Sequence, residues 1–187
     1  MIPFLIAVLF AIVSTASPEL PSAPEDTFSF AVIPDTQRYK WKGTRAEPES
    51  EAPVTNAVFD TYTKWIQANI EPQRIVFVSH VGDIVDRNVL AQWDVARNAM
   101  DRLHGRIPYR ISVENHDMTR SGDSSLFQQY FPAPRYEGLA WYAGIFTPES
   151  DIAISGNNAN SYQLFTGNGS EFVFLHLECN APDDVLA

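Results

Sequence analysis

The 187 residues carry 13 basic against 23 acidic side chains, a formal net charge of -10, and 45% of them are apolar. This balance excludes wholesale disorder and a general electrostatic affinity for nucleic acid or anionic membranes, and the length suits a single domain. Phosphate-bearing substrates stay open, because bound cations rather than net charge set the field inside a site.

Residues 1–13 are almost wholly apolar and are followed by the small residues Ser14, Thr15 and Ala16. The run is about half the roughly 20 residues that a membrane-spanning helix needs, so a secretory signal peptide is expected over residues 1–16. Residues 1–3 hold no lysine or arginine, which keeps an uncut anchor as the alternative. Residues 17–26 then read as a linker and residues 27–187 as the domain. A secreted or periplasmic location follows, with no stable membrane span after cleavage.

The first strand is expected over residues 28–34, ending in Asp35-Thr36-Gln37. Asp35 and Gln37 lie two apart, so an extended chain points both oxygen-bearing side chains the same way. Residues 38–51, charged and without a period, read as a loop over that strand end. An apolar stripe after Pro53 predicts a helix over residues 53–70. Residues 75–81 form a run of branched and aromatic residues, a strand buried on both faces, and it stops at Gly82-Asp83-Ile84-Val85-Asp86-Arg87. A second helix is expected over residues 89–103. A third strand, residues 107–113, ends in Glu114-Asn115-His116-Asp117. Strand alternating with helix means parallel strands joined by right-handed crossovers.

Beyond Asp117 come a polar loop, a short helix over residues 124–131 and an aromatic-rich coil. Tyr136, Trp141 and Tyr142 read as surface packing of an irregular insertion, with a substrate cleft as the alternative. Residues 157–160 mark a turn, and residues 161–166 and 171–177 flank Gly167-Asn168-Gly169-Ser170 as a hairpin. His80 and His176 fall inside strands and read as satisfied core histidines, while His104 ends a helix. The one cysteine, Cys179, excludes an internal disulfide and reads as a small buried hydrophobe. Residues 180–187 look like a loop and the first turn of a helix, so the chain is expected to be an N-terminal fragment of a longer enzyme.

Open α/β sheets collect ligands beyond the carboxyl ends of their strands. Asp35, Gln37, Asp83 and Asn115 supply hard oxygens there and His116 adds an imidazole, a mixture suited to Mn, Fe or Zn more than to Ca. A carboxylate on the central tip can bridge two cations about 3.5 to 4 Å apart, which activates water and clamps a phosphoryl group. The planar guanidinium of Arg87 can take two phosphate oxygens at once.

Asp35-Thr36-Gln37, Gly82-Asp83-Ile84-Val85-Asp86-Arg87 and Asn115-His116-Asp117, in this order, resemble the first three motifs of the calcineurin-like metallophosphoesterases. Those read D-x-H or D-x-Q, then G-D-x-x-D, then G-N-H followed by D or E. The resemblance spans residue 28 to about residue 187. It implies an α/β fold, a β-sandwich flanked by helices and incomplete at the C-terminus. It also implies two divalent metal ions that activate the water hydrolysing phosphate mono- or diesters. Carried over by motif, Asp35 and Gln37 hold the first metal, Asp83 bridges both and Asn115 holds the second. His116 is then the acid facing the leaving group, oriented by Asp86, with Arg87 on the phosphate. Three departures stand out. Gln37 replaces a frequent histidine, Glu114 replaces the glycine before Asn115, and the family's later isolated histidine and G-H-x-H pair are absent from the chain. The alternative is therefore a metal-binding or structural domain without turnover; a carbohydrate or adhesion module has only the aromatic loop behind it.

Overall fold

A computed structural model describes residues 20–147 and 158–186. The expected signal peptide and the start of the linker lie outside the described residues, as does Asn157 of the expected turn. The fold is mixed α/β. Three parallel strands, β1 (Ser29–Ile33), β2 (Ile75–His80) and β3 (Tyr109–Ile111), lie in the order β1-β2-β3. Helices α1 (Ala57–Asn69) and α2 (Leu90–Asp101) make the crossovers between them. After α3 (Ser125–Tyr130) and one 3-10 turn, Ala133–Arg135, a second sheet forms from β4 (Tyr142–Ile145), β5 (Ser161–Gly167) and β6 (Ser170–His176). This sheet is antiparallel, in the order β4-β5-β6, and a last turn of helix, α4 (Asp183–Leu186), follows it. No described helix is long and apolar enough to cross a membrane.

One face of the first sheet is covered by the crossover helices. Ile33, Val78, Tyr109 and Ile111 share a buried core with Phe59 and Ile66 of α1 and with Trp93, Ala96 and Met100 of α2. The other face meets the second sheet through aromatic rings. Phe77 stacks on Phe165 with centroids 4.5 Å apart, and Phe30 sits edge-on to Phe165 and Phe172. Through this apolar layer runs a short polar chain. Ser79 meets His176 Nε2 at 2.9 Å, His176 Nδ1 meets Gln163 Oε1 at 2.7 Å, and Ser161 Oγ accepts from both Gln163 Nε2 and Arg110 Nε. An amide oxygen only accepts, so the proton is on Nδ1, Nε2 takes the serine hydroxyl, and the ring is neutral. Burial pushes its pKa down to about 3, with Arg110 adding to the shift.

Three local expectations change. Helix α1 begins at Ala57 rather than after Pro53, because Thr55 is held extended in an antiparallel bridge to Lys40. Asn56 then caps the helix, its side-chain oxygen accepting the Phe59 N–H at 3.0 Å. Tyr136 lines neither a cleft nor the surface. It is fully buried, 5.6 Å from the Tyr109 ring and 4.9 Å from the Arg110 guanidinium. Tyr142 opens strand β4, in what the sequence reads as coil.

Candidate metal centre

The three strands end side by side, Ile33 pairing with His80 and His80 with Ile111, so their tips leave the same edge of one sheet. Beyond β2 the chain makes a bend with two successive positive φ angles, +104° at Gly82 and +50° at Asp83. Asp tolerates the left-handed region better than most residues, and the glycine takes the more extreme angle. The bend turns Asp83 toward the β3 tip, where its Oδ1 accepts the His116 N–H at 3.2 Å. Its carbonyl accepts the Thr36 N–H at 3.1 Å, which joins the β1 tip to the same bend.

Asp117 fastens the β2 and β3 tips together. Its Oδ1 accepts the Val85 N–H at 3.2 Å and its Oδ2 the Glu114 N–H at 3.0 Å. Burial pushes its pKa up to about 8, against the pull of these N–H donors and with a further push from Asp83. His80 fastens β2 to the β1 tip. Its Nδ1 accepts the Gly82 N–H at 3.2 Å, so Nε2 carries the proton toward the Thr36 hydroxyl at 3.0 Å, and that hydroxyl donates to the Ile84 carbonyl. The ring is fully buried and desolvation pushes its pKa down to about 3. His80 and His176 are thus hydrogen-bonded core residues. His104 lies three residues past the end of α2, near the Tyr109 hydroxyl, where burial lowers its pKa.

The expected site residues divide into two groups. Asp83, Asp86 and His116 are brought together. His116 Nδ1 lies 2.7 Å from the Asp86 carbonyl oxygen and 4.0 Å from its carboxylate. Asp86 therefore orients the ring through its backbone, while its carboxylate pairs with Arg45 Nε at 3.3 Å. Asp35 and Asn115 stand exposed at the β1 and β3 tips, and Gln37 is half-buried. Arg87 Nη1 donates to the Gly43 carbonyl in the loop above.

Glu114 occupies the position where the family resemblance has glycine. Its side chain packs directly against Gly82, so closely that a Cβ on residue 82 would lie 2.2 Å from Glu114 Cγ. The bulk missing from one strand tip is taken up at the other. Cys179 is half-buried beside this carboxylate rather than in the core. Burial raises its thiol pKa first, then a hydrogen bond with Glu114 and the charges of Glu114, Asp83 and Glu178. A thiol so held is a poor nucleophile. Its N–H donates to the Val113 carbonyl at 2.7 Å, which seals the end of the second sheet onto the β3 tip. Arg45 was not singled out by sequence, and Cys179 only as a small buried hydrophobe; Glu114 stood out as the residue in place of the motif glycine, and Asp117 as the acid that closes the third motif.

The residues present fit a divalent cation. Asp35, Asp83, Gln37 and Asn115 are hard oxygen donors. Gln37 Nε2 is buried with no hydrogen-bond partner among the described residues. A half turn of that amide exchanges nitrogen for oxygen and presents the polarity a cation requires. Among the described residues no three His, Cys, Asp or Glu side chains gather closely enough to hold a metal. The expected set has two amides among four ligands, so it rests on neutral oxygens as much as on charge.

No family model matches the chain. A relative does. Over 172 residues, 90% of this chain, it is 30% identical to the uncharacterized protein YvnB of Bacillus subtilis strain 168. The chain spans 12% of that protein's length.

Proposed function

We propose that this domain is a metal-dependent phosphoesterase of the calcineurin-like type, secreted or periplasmic, that hydrolyses phosphate mono- or diesters. The observation that carries the reading is the joining of three motif-bearing strand tips at one sheet edge. Thr36 N–H reaches the Asp83 carbonyl, His116 N–H the Asp83 carboxylate, and Asp117 both neighbouring turns. Two stacked sheets with crossover helices on one outer face agree with the layering that the resemblance implies. An open cleft of about 590 Å³ lined by Asn115, Met118, Arg120 and Cys179 lies beside the third tip and leaves room for an ester substituent.

Two divalent cations of the Mn, Fe or Zn type, held by Asp35, Gln37, Asp83 and Asn115, would supply Lewis acidity to the attacking water and the phosphoryl oxygens. The chain's own residues orient the rest. The Asp86 carbonyl accepts the Nδ1 proton of His116, so Nε2 is the nitrogen left to work. Protonated at Nε2, the ring can donate to the departing oxygen, and the carbonyl keeps it from rotating. The His116 N–H holds the Asp83 carboxylate in a fixed orientation.

Hydrolysis of an aryl phosphate monoester and a diaryl diester with added Mn²⁺ tests this. Turnover abolished by Asp83→Asn is the expected result, and the absence of any Mn²⁺-dependent turnover, here and in a form extended beyond residue 187, overturns it. A metal-binding domain without turnover is the second reading, favoured by Glu114 pressed against Gly82 where the resemblance has glycine. Mn²⁺ binding without hydrolysis would select it.

A further inference from the structure

We propose that Arg45, not Arg87, is the guanidinium that receives the phosphate at this site, and that Arg87 is a positioning residue holding the loop that carries Arg45. This rests on the phosphoesterase reading above and names a residue that the motifs do not contain.

The geometry begins with a tight turn over the site. Trp41 and Gly43 both have positive φ, +70° and +67°, and the Thr44 N–H closes the turn onto the Trp41 carbonyl at 3.0 Å. The Gly43 carbonyl is left pointing at the β2 tip, where Arg87 Nη1 donates to it. That bond commits one end of Arg87 to the loop. Two residues on, Arg45 lies with its Nε 3.3 Å from the Asp86 carboxylate, with Asp86 mostly buried and the Arg45 side chain 63% exposed.

His116 shows that the other end of Arg45 is open. Its Nδ1 is 2.7 Å from the Asp86 carbonyl, a group that only accepts, so the Nδ1 proton is already used there. Arg45 Nη2 lies 3.4 Å from that same nitrogen, which has no lone pair left for it. The contact is therefore donor against donor. The guanidinium is tethered through Nε, its Nη2 donors face no acceptor on His116, and it lies beside the Nδ1 edge of the ring whose Nε2 is expected to face the leaving group. Such a planar fork, charged and held at one end, matches two oxygens of a phosphoryl group. Asp86 serves both partners, with its carbonyl on His116 and its carboxylate on Arg45.

Calorimetric titration of inorganic phosphate into the Mn²⁺-loaded chain separates the roles. Arg45→Ala should weaken phosphate by about tenfold or more, and Arg45→Lys should not restore it, because an ammonium lacks the fork. Arg87→Ala should cost less, Arg87→Lys should restore binding because an ammonium also reaches a carbonyl, and the double Ala variant should match Arg45→Ala alone. Losses that multiply in the double variant, or an Arg45→Ala affinity within about twofold of wild type, overturn the assignment while leaving the phosphoesterase reading intact. A wild-type chain that binds Mn²⁺ but no phosphate overturns the assignment, while Mn²⁺-dependent ester hydrolysis decides the phosphoesterase reading separately. Both side chains are on the surface, so unchanged urea midpoints establish that the variants are folded.

Discussion

Replacing Gly82 with alanine forces a methyl group into Glu114. The new Cβ would lie 2.2 Å from Glu114 Cγ, 2.8 Å from its Cβ and 3.3 Å from its backbone nitrogen, on a residue whose φ is +104°. Two costs add: backbone strain of about 1 to 3 kcal/mol and overpacking of about 1 to 3 kcal/mol, together about 2 to 6 kcal/mol. Glu114→Gly removes both side-chain atoms in the way. In that background Gly82→Ala should cost only the strain, and the difference between backgrounds, about 1 to 3 kcal/mol, is the coupling between the two tips. The freedom that the new glycine adds to the unfolded chain is common to both sides of the cycle and cancels. Urea unfolding followed by tryptophan fluorescence measures all four stabilities, provided the slopes agree. If Gly82→Ala costs the same in both backgrounds within about 0.5 kcal/mol, the packing of Glu114 into the space left by Gly82 is refuted.

Asp117→Ala leaves the Val85 and Glu114 N–H groups without their acceptor, at about 1 to 3 kcal/mol each. A measured loss below about 1 kcal/mol would show that the tips are fastened by something else. Phe77→Ala should cost about 3 to 5 kcal/mol, since the ring is fully buried and stacked on Phe165; a cost near that of a surface substitution counts against a shared core between the sheets. The pH dependence follows from the buried rings. His80 and His176 both have folded pKa values lowered to about 3 from 6.5. The unfolded chain therefore takes up protons first. The stability from each neutral ring is complete above pH 6.5 and is lost as pH falls toward 3, by about 1.4 kcal/mol per pH unit. Asp117, raised to about 8 from 3.8, acts oppositely: its contribution is complete below pH 3.8 and lost as pH rises toward 8. Between pH 4.5 and 6.5 the two rings outweigh it, so stability should rise with pH. His176→Gln should reduce that slope by about 1.4 kcal/mol per unit, and parallel wild-type and variant curves would sink this account.

Most of the architecture was legible because it is written in local pattern. Branched runs ending in Asp35, Asp83 and Asn115 gave the parallel strands and their tips, and the 3.6-residue stripes gave α1 and α2. Strand β4 was not legible, because Tyr142, Ala143, Gly144 and Ile145 have no alternation of their own and form a strand only by pairing with β5. The strand tips that carry the motifs were legible, but the contacts that support them were not. A long guanidinium has many places to go, and nothing in the charged loop distinguishes Arg45 from Arg38, nor tells that Arg87 turns back to Gly43. The space that admits Glu114 is created by a glycine 32 residues earlier. Such complementarity exists only after the chain has folded.

The hydrogen-bonded line from Ser79 to Arg110 bears on how the second sheet finds its alignment. Both sides of β6 are greasy: Phe172 and Phe174 face inward, while Val173 and Leu175 face out with 61% and 67% of their surface exposed. Sliding that strand by one position would trade one oily set for another at little hydrophobic cost, while flipping every side chain to the opposite side. It would also carry His176 out to solvent and leave Gln163 facing hydrocarbon. The imidazole thus acts as an index mark, selecting one of two alignments between which apolar burial alone discriminates poorly.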